Sequence, residues 1–336
     1  MNTLLERTEF DTLSGKLVRL LRRRYNDRCI NIITYHRIAK PAGTFLDKIV
    51  PSHDPAEFEE QIDYLAEHYK PLRLSELVSS LERGEPVNRA VVLTFDDGYA
   101  DAIGRAMPIL FRRRIPMTVF PVTAVIGNDD LLWQHKLAWL SAYGHEQRVA
   151  EAFKSSGYPP QAEGESAAHF ARRCFRSDMA DILESVLQSV GQTGRELASS
   201  LRPYIEREDV ANADPEFVEF GNHTHTHPIL STLAADAQRE EIAKAADILA
   251  SLTGYSPVSL AYPFGLKNHY NAESRAIAQE TRHRATLDMR RRFNVGRVDP
   301  FELSRKPATR GSQEGFERMI EDWPANAPPP ENGGMA

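Results

Sequence analysis

Short runs of continuous apolar residues alternate along this chain with longer stretches whose apolar positions recur every three or four residues. Cys29–Tyr35 (CINIITY) is rich in isoleucine and bounded by polar residues, which predicts a buried strand. Pro55–Tyr69 sets Phe58, Ile62 and Leu65 on one helical face, behind Asp54 as N-cap. Ser75–Leu81 predicts a second short helix, closed by Gly84 and Pro86. Ala90–Phe95 (AVVLTF) is the clearest strand; Asp96-Asp97-Gly98 follows it, then a helical stretch to about Arg113. Pro116–Val122 (PMTVFPV) reads as a third strand. Continuously apolar strands separated by helices call for parallel pairing and right-handed crossovers.

From about Asp129 to Asp214 the strand signals vanish and amphipathic helices replace them, for example over His169–Ser189. Strands resume at Phe217–Asn222 and Pro257–Tyr262, with a helix over Ala234–Leu252 between them. The expected architecture is an α/β barrel of irregular (β/α) type, carrying residues 129–214 as a helical insertion within a domain spanning 29–322. Residues 1–28 form a basic helical segment in this reading. Residues 323–336 are rich in proline, glycine and asparagine and predict a disordered tail.

Composition narrows the function classes. A length of 336 residues is enough to bury a substantial core. The net charge of −6 gives no global attraction to nucleic acid, so none is expected as a partner. Two cysteines, Cys29 and Cys174, exclude both a disulfide framework and a cysteine-rich zinc site. No run approaches the roughly 18 apolar residues of a membrane span, and the first residues have no apolar leader core, so the expected compartment is the cytoplasm. Leu13–Tyr25 intersperses leucines and valine with five basic residues. That pattern suits either peripheral docking on an anionic membrane or a solvated helix covering one end of the barrel.

Three segments carry chemistry, each just beyond an expected strand, where parallel α/β folds bind ligands. The first is Thr94-Phe95-Asp96-Asp97-Gly98. Paired carboxylates at the end of an apolar strand call for a compensating cation, although the same triplet can be a plain turn. The second, Gly221 to Pro228 (GNHTHTHP), holds three of the chain's 11 histidines, His223, His225 and His227. Spaced His-x3-His or His-x-His, imidazoles make zinc ligands, so His225 competes with its neighbours. The third, Ala261-Tyr262-Pro263-Phe264-Gly265, is a strand end and turn able to aim a backbone N–H at a reacting oxygen.

In wording, order and strand context these segments resemble the polysaccharide deacetylases, carbohydrate esterase family four, over about Cys29 to Arg310 with the helical insertion outside the resemblance. The resemblance implies a barrel of that family's type and a hydrolase removing acetyl groups from N-acetylated sugars. It implies that Asp97, His223 and His227 hold a divalent metal, usually zinc, with Asp96 as general base. It places the oxyanion-stabilising backbone N–H at Phe264 and makes His225 structural.

The chain also departs from the family pattern. The usual general acid is a histidine near the C-terminus, but the last histidine here, His283, sits in a basic segment. His36, in Ile33-Thr34-Tyr35-His36-Arg37, takes that role in this reading, as in a permuted subset of the family that opens with a similar Tyr-His. Many relatives have an arginine at the position of Ala261 to pair with the base, and Arg305 is the candidate replacement. Tyr262 and Trp133 are candidate sugar contacts, Trp133 being equally suited to core packing. Arg290-Arg291-Arg292 reads as a solvated charge run, or as a phosphate contact for a lipid- or nucleotide-linked sugar. The expected partner is an N-acetylated carbohydrate. The alternatives are a deformylase or O-acetyl esterase on the same fold, a silent carbohydrate-binding relative, and an iron oxygenase using His223 and His225.

Overall fold

The isoleucine-rich run near the start of the domain becomes the first strand of a closed ring. In the computed structural model, which describes residues 29–50 and 52–321, β1 (Ile30–Tyr35) pairs in parallel with β2 (Ala90–Asp97), Ile30 opposite Ala90 and Tyr35 opposite Phe95. β3 (Met117–Pro121) pairs with β2, and β4 (Val218–Phe220) with β3. Beyond β4, Asn222 bridges in parallel to Leu260 of β5 (Ser259–Ala261). β6 (Ala285–Asp288) and β7 (Leu303–Ser304) continue the sheet. The chain bends at Arg305, and β8 (Lys306–Pro307) returns to pair with β1, Ile33 opposite Lys306. One kinked segment thus belongs to both sheets and closes an irregular (β/α) barrel of all-parallel ladders.

Side-chain alternation explains why the strands read as apolar on both faces. Ile30, Ile32, Ala90, Val92, Leu287 and Leu303 meet inside the ring, together with Leu74, Leu77 and Val78. Ile33, Tyr35, Leu93 and Phe95 point the other way, onto Phe58, Ile62 and Leu65. Each such fully buried side chain contributes about 1.5–3 kcal/mol.

The crossovers hold α1 (Phe45–Ile49), α2 (Pro55–His68), α3 (Leu74–Glu82) and α4 (Met107–Arg112). As expected, Asp54 caps α2, accepting from the Ala56 N–H at 2.8 Å with Pro55 in the first turn. The expected helical insertion is a cluster of helices: α5 (Trp133–Ala142), α6 (Glu146–Ser155), α7 (Ala167–Arg173), α8 (Met179–Ser189), α9 (Gly194–Leu201) and α10 (Arg207–Ala211). α11 (Ala235–Thr253) ends on Gly254 in the left-handed region, and α12 (Ala272–Glu280) precedes β6. The single helix read over His169–Ser189 is in fact two, α7 and α8. A continuous helix would keep Phe175 and Met179 on one face and turn Phe170 to the opposite side, whereas the break at Cys174–Asp178 brings all three into the core of the insertion.

The basic segment with Leu13–Tyr25 and the tail from Trp323 lie outside the described residues. No helix among the described residues is long and apolar enough to cross a membrane. Cys29 and Cys174 are both free thiols.

Candidate metal centre and catalytic cleft

Alternation along β1 and β2 brings Thr34 and Thr94 together on the inner face, their hydroxyls 3.0 Å apart, and puts Asp96 one step beyond Thr94. An adjacent Asp97 would ordinarily face the other way. Its left-handed backbone (φ 65°), followed by Gly98 at φ 73°, turns the carboxylate back toward the site. Only glycine suits position 98, because an added Cβ would lie 2.7 Å from the Pro121 Cβ.

Asp96 is buried and accepts two hydrogen bonds from Arg305, Nη1 to Oδ1 at 2.6 Å and Nη2 to Oδ2 at 2.8 Å. Arg305 is itself fully buried at the kink between β7 and β8, with its guanidinium 5.5 Å from the centre of the Phe120 ring. Burial pushes the Asp96 carboxyl up, but Arg305, then His223 and His36, outweigh it and hold the group below the ordinary carboxylate range. Arg305 supplies this carboxylate's guanidinium from the β7–β8 kink, while Ala261 stands fully buried at the end of β5.

The histidine segment is a loop pinned by its own polar groups. Asn222 accepts from the Thr224 N–H at 2.8 Å, Thr224 accepts from the His227 N–H at 3.1 Å, and Glu241 of α11 accepts from the N–H groups of His225 and Thr226. Thr224 and His227 are left-handed (φ 68° and 63°), which turns His227 back toward His223. The two rings lie 4.9 Å apart. His223 donates from Nδ1 to the Ala261 carbonyl at 2.8 Å, leaving Nε2 bare and 3.6 Å from Asp97 Oδ1. His227 Nε2 lies 3.4 Å from the same oxygen.

Asp97, His223 and His227 therefore present three buried ligand atoms within 4.8 Å of one another, a donor set that fits a divalent cation. Burial pushes the Asp97 carboxyl up, but the nearby imidazoles of His223, His227 and His36 hold it well below its usual range. Burial pushes the His227 imidazole down to about 3, favouring the neutral form that ligates metals. His225 points elsewhere, its Nδ1 2.9 Å from the Thr123 hydroxyl.

At the third segment, Gly265 donates to the Pro263 carbonyl at 2.7 Å, closing a three-residue turn centred on Phe264 at φ 59°. This turn class is rare and strained, by about 1–3 kcal/mol. Among the described residues no group accepts the Phe264 N–H. Gly265 is required there, since a Cβ would come within 2.8 Å of the Met289 N.

A cavity of about 920 Å³ opens over these groups. It is lined by Asp96, Asp97, His223, His227 and Arg305, and also by His36, Phe264 and Trp133. Trp133 is only 4% exposed and its indole N–H donates to the His227 carbonyl at 3.0 Å, so it props the histidine loop as well as lining the wall. Tyr262, expected to touch sugar, does not line the cavity. Strand alternation turns it away from the cleft, where its ring stacks 4.0 Å from that of Tyr270 and is 2% exposed.

Sequence reasoning missed Gln134, whose side-chain Nε2 lies 2.6 Å from His227 Nδ1 while its Oε1 is buried without a partner. A ring that ligates through Nε2 keeps its proton on Nδ1. Turning the carboxamide by 180° presents Oε1 to that proton. Nothing in the run Leu132-Trp133-Gln134 signals this. It exists only because the insertion folds back over the barrel mouth.

A family model described as polysaccharide deacetylase matches residues 83–155 and 192–286, half of the chain. Its gap, 156–191, is narrower than the 129–214 set aside above. The poly-beta-1,6-N-acetyl-D-glucosamine N-deacetylase of Staphylococcus epidermidis is 30% identical over 128 residues, covering 35% of this chain and 43% of that protein. The protein of the same name from Staphylococcus aureus is 28% identical over 144 residues, covering 39% and 47%. The chain thus matches less than half the length of these curated relatives. Among solved structures, the Streptococcus pyogenes deacetylase PplD in complex with acetate superposes with a TM-score of 0.59 at 18% identity, covering 88% of this chain and 99% of that one. IcaB from Ammonifex degensii gives 0.55 at 16% identity, covering 87% and 96%. At such identities the likeness is one of fold.

Proposed function

The chain belongs to the polysaccharide deacetylase family, and from that premise we propose that it is a metal-dependent hydrolase removing the acetyl group from N-acetylated sugars of a polysaccharide, oligosaccharide or glycoconjugate precursor. The observation that supports this most is the convergence of one base carboxylate and three ligand atoms in a single cleft. Asp97, His223 and His227 would hold the cation. Two imidazoles and a carboxylate with positions left open match zinc best. When bound there, a divalent cation supplies Lewis acidity toward water and toward the acetyl carbonyl.

The chain's own residues supply the rest. Asp96, kept ionised by Arg305, takes the proton of the attacking water. The Phe264 N–H donates to the oxygen of the acetyl carbonyl as it gains negative charge. His36, half-buried at the cleft, gives a proton to the departing sugar nitrogen, so that amide and water become acetate and amine. Trp133 forms an apolar wall for the sugar.

The test is acetate release from β-1,6-linked N-acetylglucosamine oligomers and related glycoconjugates, with metal content measured alongside. About one divalent cation per chain and acetate in step with free amine support the reading. His36→Ala should keep its metal and lose turnover, whereas near-normal activity removes the assignment of His36. A chain that holds no metal and releases no acetate from any N-acetylated sugar sinks the whole proposal. Release of formate, or of acetate from O-acetyl sugars alone, moves it to the other deacylases on this fold.

Arg305 gives a pH prediction. Activity needs the Asp96 carboxylate, so it falls as pH drops through that group's depressed value. Removing the guanidinium leaves burial less opposed. The acid limb of kcat in Arg305→Met is therefore expected to move to higher pH, by about 1–3 units. An unmoved limb would make Arg305 purely structural.

A further inference from the structure

The proposed reading leaves the substrate's other end unassigned, and two features outside the metal centre bear on it. The first is charge. Lys48 of α1, Arg172 of α7 and Arg291 after β6 all line the cleft, and none has a carboxylate or hydrogen-bond partner among the described residues. Arg291 illustrates the sorting. Its neighbours Arg290 and Arg292 are both paired with Asp288, at 3.1 and 2.8 Å, while Arg291, at φ 57°, faces the cavity. With Asp96 neutralised by Arg305, and Asp97 given to the cation, Glu146 is the one further carboxylate on the wall. Deacetylation turns a neutral amide into an ammonium group. A wall of free cations therefore disfavours a polymer already carrying such groups and favours a substrate that brings an anion.

The second feature is an apolar groove of about 660 Å³ in the helical insertion, lined by Val149, Ala150, Phe153, Tyr158, Pro160 and Phe170 among others. It adjoins the cleft, the two spaces sharing Ser141, Glu146 and Ala167 in their walls. Helix α7 serves both spaces, Arg172 on the cleft and Phe170 on the groove. A substrate whose N-acetyl sugar sits at the metal centre can thus lay an anionic group against the cations and a hydrocarbon chain along the groove.

Resting on the deacetylase reading, we propose that the substrate class is an N-acetylated sugar joined through a phosphate or pyrophosphate to an apolar chain. Phosphate suits the free lysine and arginines, and an isoprenoid or acyl chain suits the groove.

The test compares kcat/KM on the 336-residue, zinc-loaded chain for four compounds. These are N-acetylglucosaminyl pyrophosphate carrying a short prenyl chain, N-acetylglucosamine 1-phosphate, an alkyl N-acetylglucosaminide without phosphate, and a neutral β-1,6 oligomer. The prenyl pyrophosphate is expected to exceed the neutral oligomer by about a hundredfold or more, with the two part-compounds between them. Ala150→Asp, an exposed position on the groove, should bring the ratio of chain-bearing to chain-free phosphate substrate close to one. Arg172→Gln with Arg291→Gln should do the same for the ratio of phosphate-bearing to phosphate-free substrate, and the salt dependence of KM should flatten.

If the neutral oligomer is turned over as well as the prenyl pyrophosphate, or if the variants slow all four compounds equally, this inference is overturned while the deacetylase reading stands. If the phosphate-bearing sugars gain but the chain adds nothing, the lipid half is wrong and the substrate is a soluble sugar phosphate. Acetate from none of the four overturns both.

Discussion

Asp96→Asn is expected to lower kcat by about 10²–10⁴-fold while the chain keeps its full complement of metal. The substitution keeps the shape of the side chain, and the three atoms proposed as metal ligands belong to Asp97, His223 and His227. An amide cannot take a proton from water near neutral pH, so the attacking water must lose its proton without a base. The same change also leaves Arg305, fully buried and held by two hydrogen bonds to Asp96, without its anion. Removing one partner of such a pair typically costs about 3–5 kcal/mol of stability. The thermal midpoint should therefore fall, and activity must be read at a temperature where the far-ultraviolet spectrum is still native. If the folded, metal-replete variant keeps activity within a few-fold of the parent, Asp96 is not the base. The catalytic reading of the whole pair would then have to be redrawn.

What could be read from the sequence follows from what each segment buries. β1, β2 and β3 were legible because both of their faces are covered, so their apolar runs are unbroken. Helix α2 was legible because its cap and its one-sided apolar stripe are local. The candidate ligand set of Asp97, His223 and His227 was legible because unusual residues cluster at strand ends, and the Arg305–Asp96 pair because Ala261 left the carboxylate without the arginine that the resemblance implies. Closure of the ring was not legible. β6, β7 and β8 are two to four residues long, too short for a period to register, and only the two-sided pairing of Leu303–Pro307 shows that the sheet returns to β1. Tyr262 was misplaced because the turn after it looks like a site while the pleat sends its side chain the other way. Gln134, Lys48 and Arg172 were invisible for a different reason, while Arg291 could be seen only within the run Arg290-Arg291-Arg292, with nothing to separate it from its paired neighbours. Gln134 meets His227 across 93 positions, and Lys48, Arg172 and Arg291 meet only because α1, the insertion and the loop after β6 share one cavity.

Graded loss of metal is the second large effect expected. His223→Ala or His227→Ala removes one of three protein ligands, and Asp97→Ala removes the one carboxylate among them. Each should cost more in affinity than loss of a group that only orients a ligand, for which about 10–100-fold is typical. Gln134→Ala is the matching case for that smaller effect, since Gln134 touches His227 Nδ1 and lies outside the ligand set. The order of metal dissociation constants is therefore predicted to run from the parent, through Gln134→Ala, to the three ligand variants. Turnover at saturating metal should recover in Gln134→Ala but not in His223→Ala. Competition with a chromophoric chelator measures the constants without relying on activity. The ranking also separates the remaining readings of the motif. An oxygenase built on His223 and His225 would lose its metal on His225→Ala, yet His225 bonds to Thr123 and lies outside the ligand set, so that variant should bind metal as the parent does. A silent binding relative would show no activity to restore. Loss of metal from His225→Ala, or its full retention by His223→Ala, would mean that the three buried atoms around Asp97 are not the ligands, and with them would go the placement of the reaction at the mouth of this barrel.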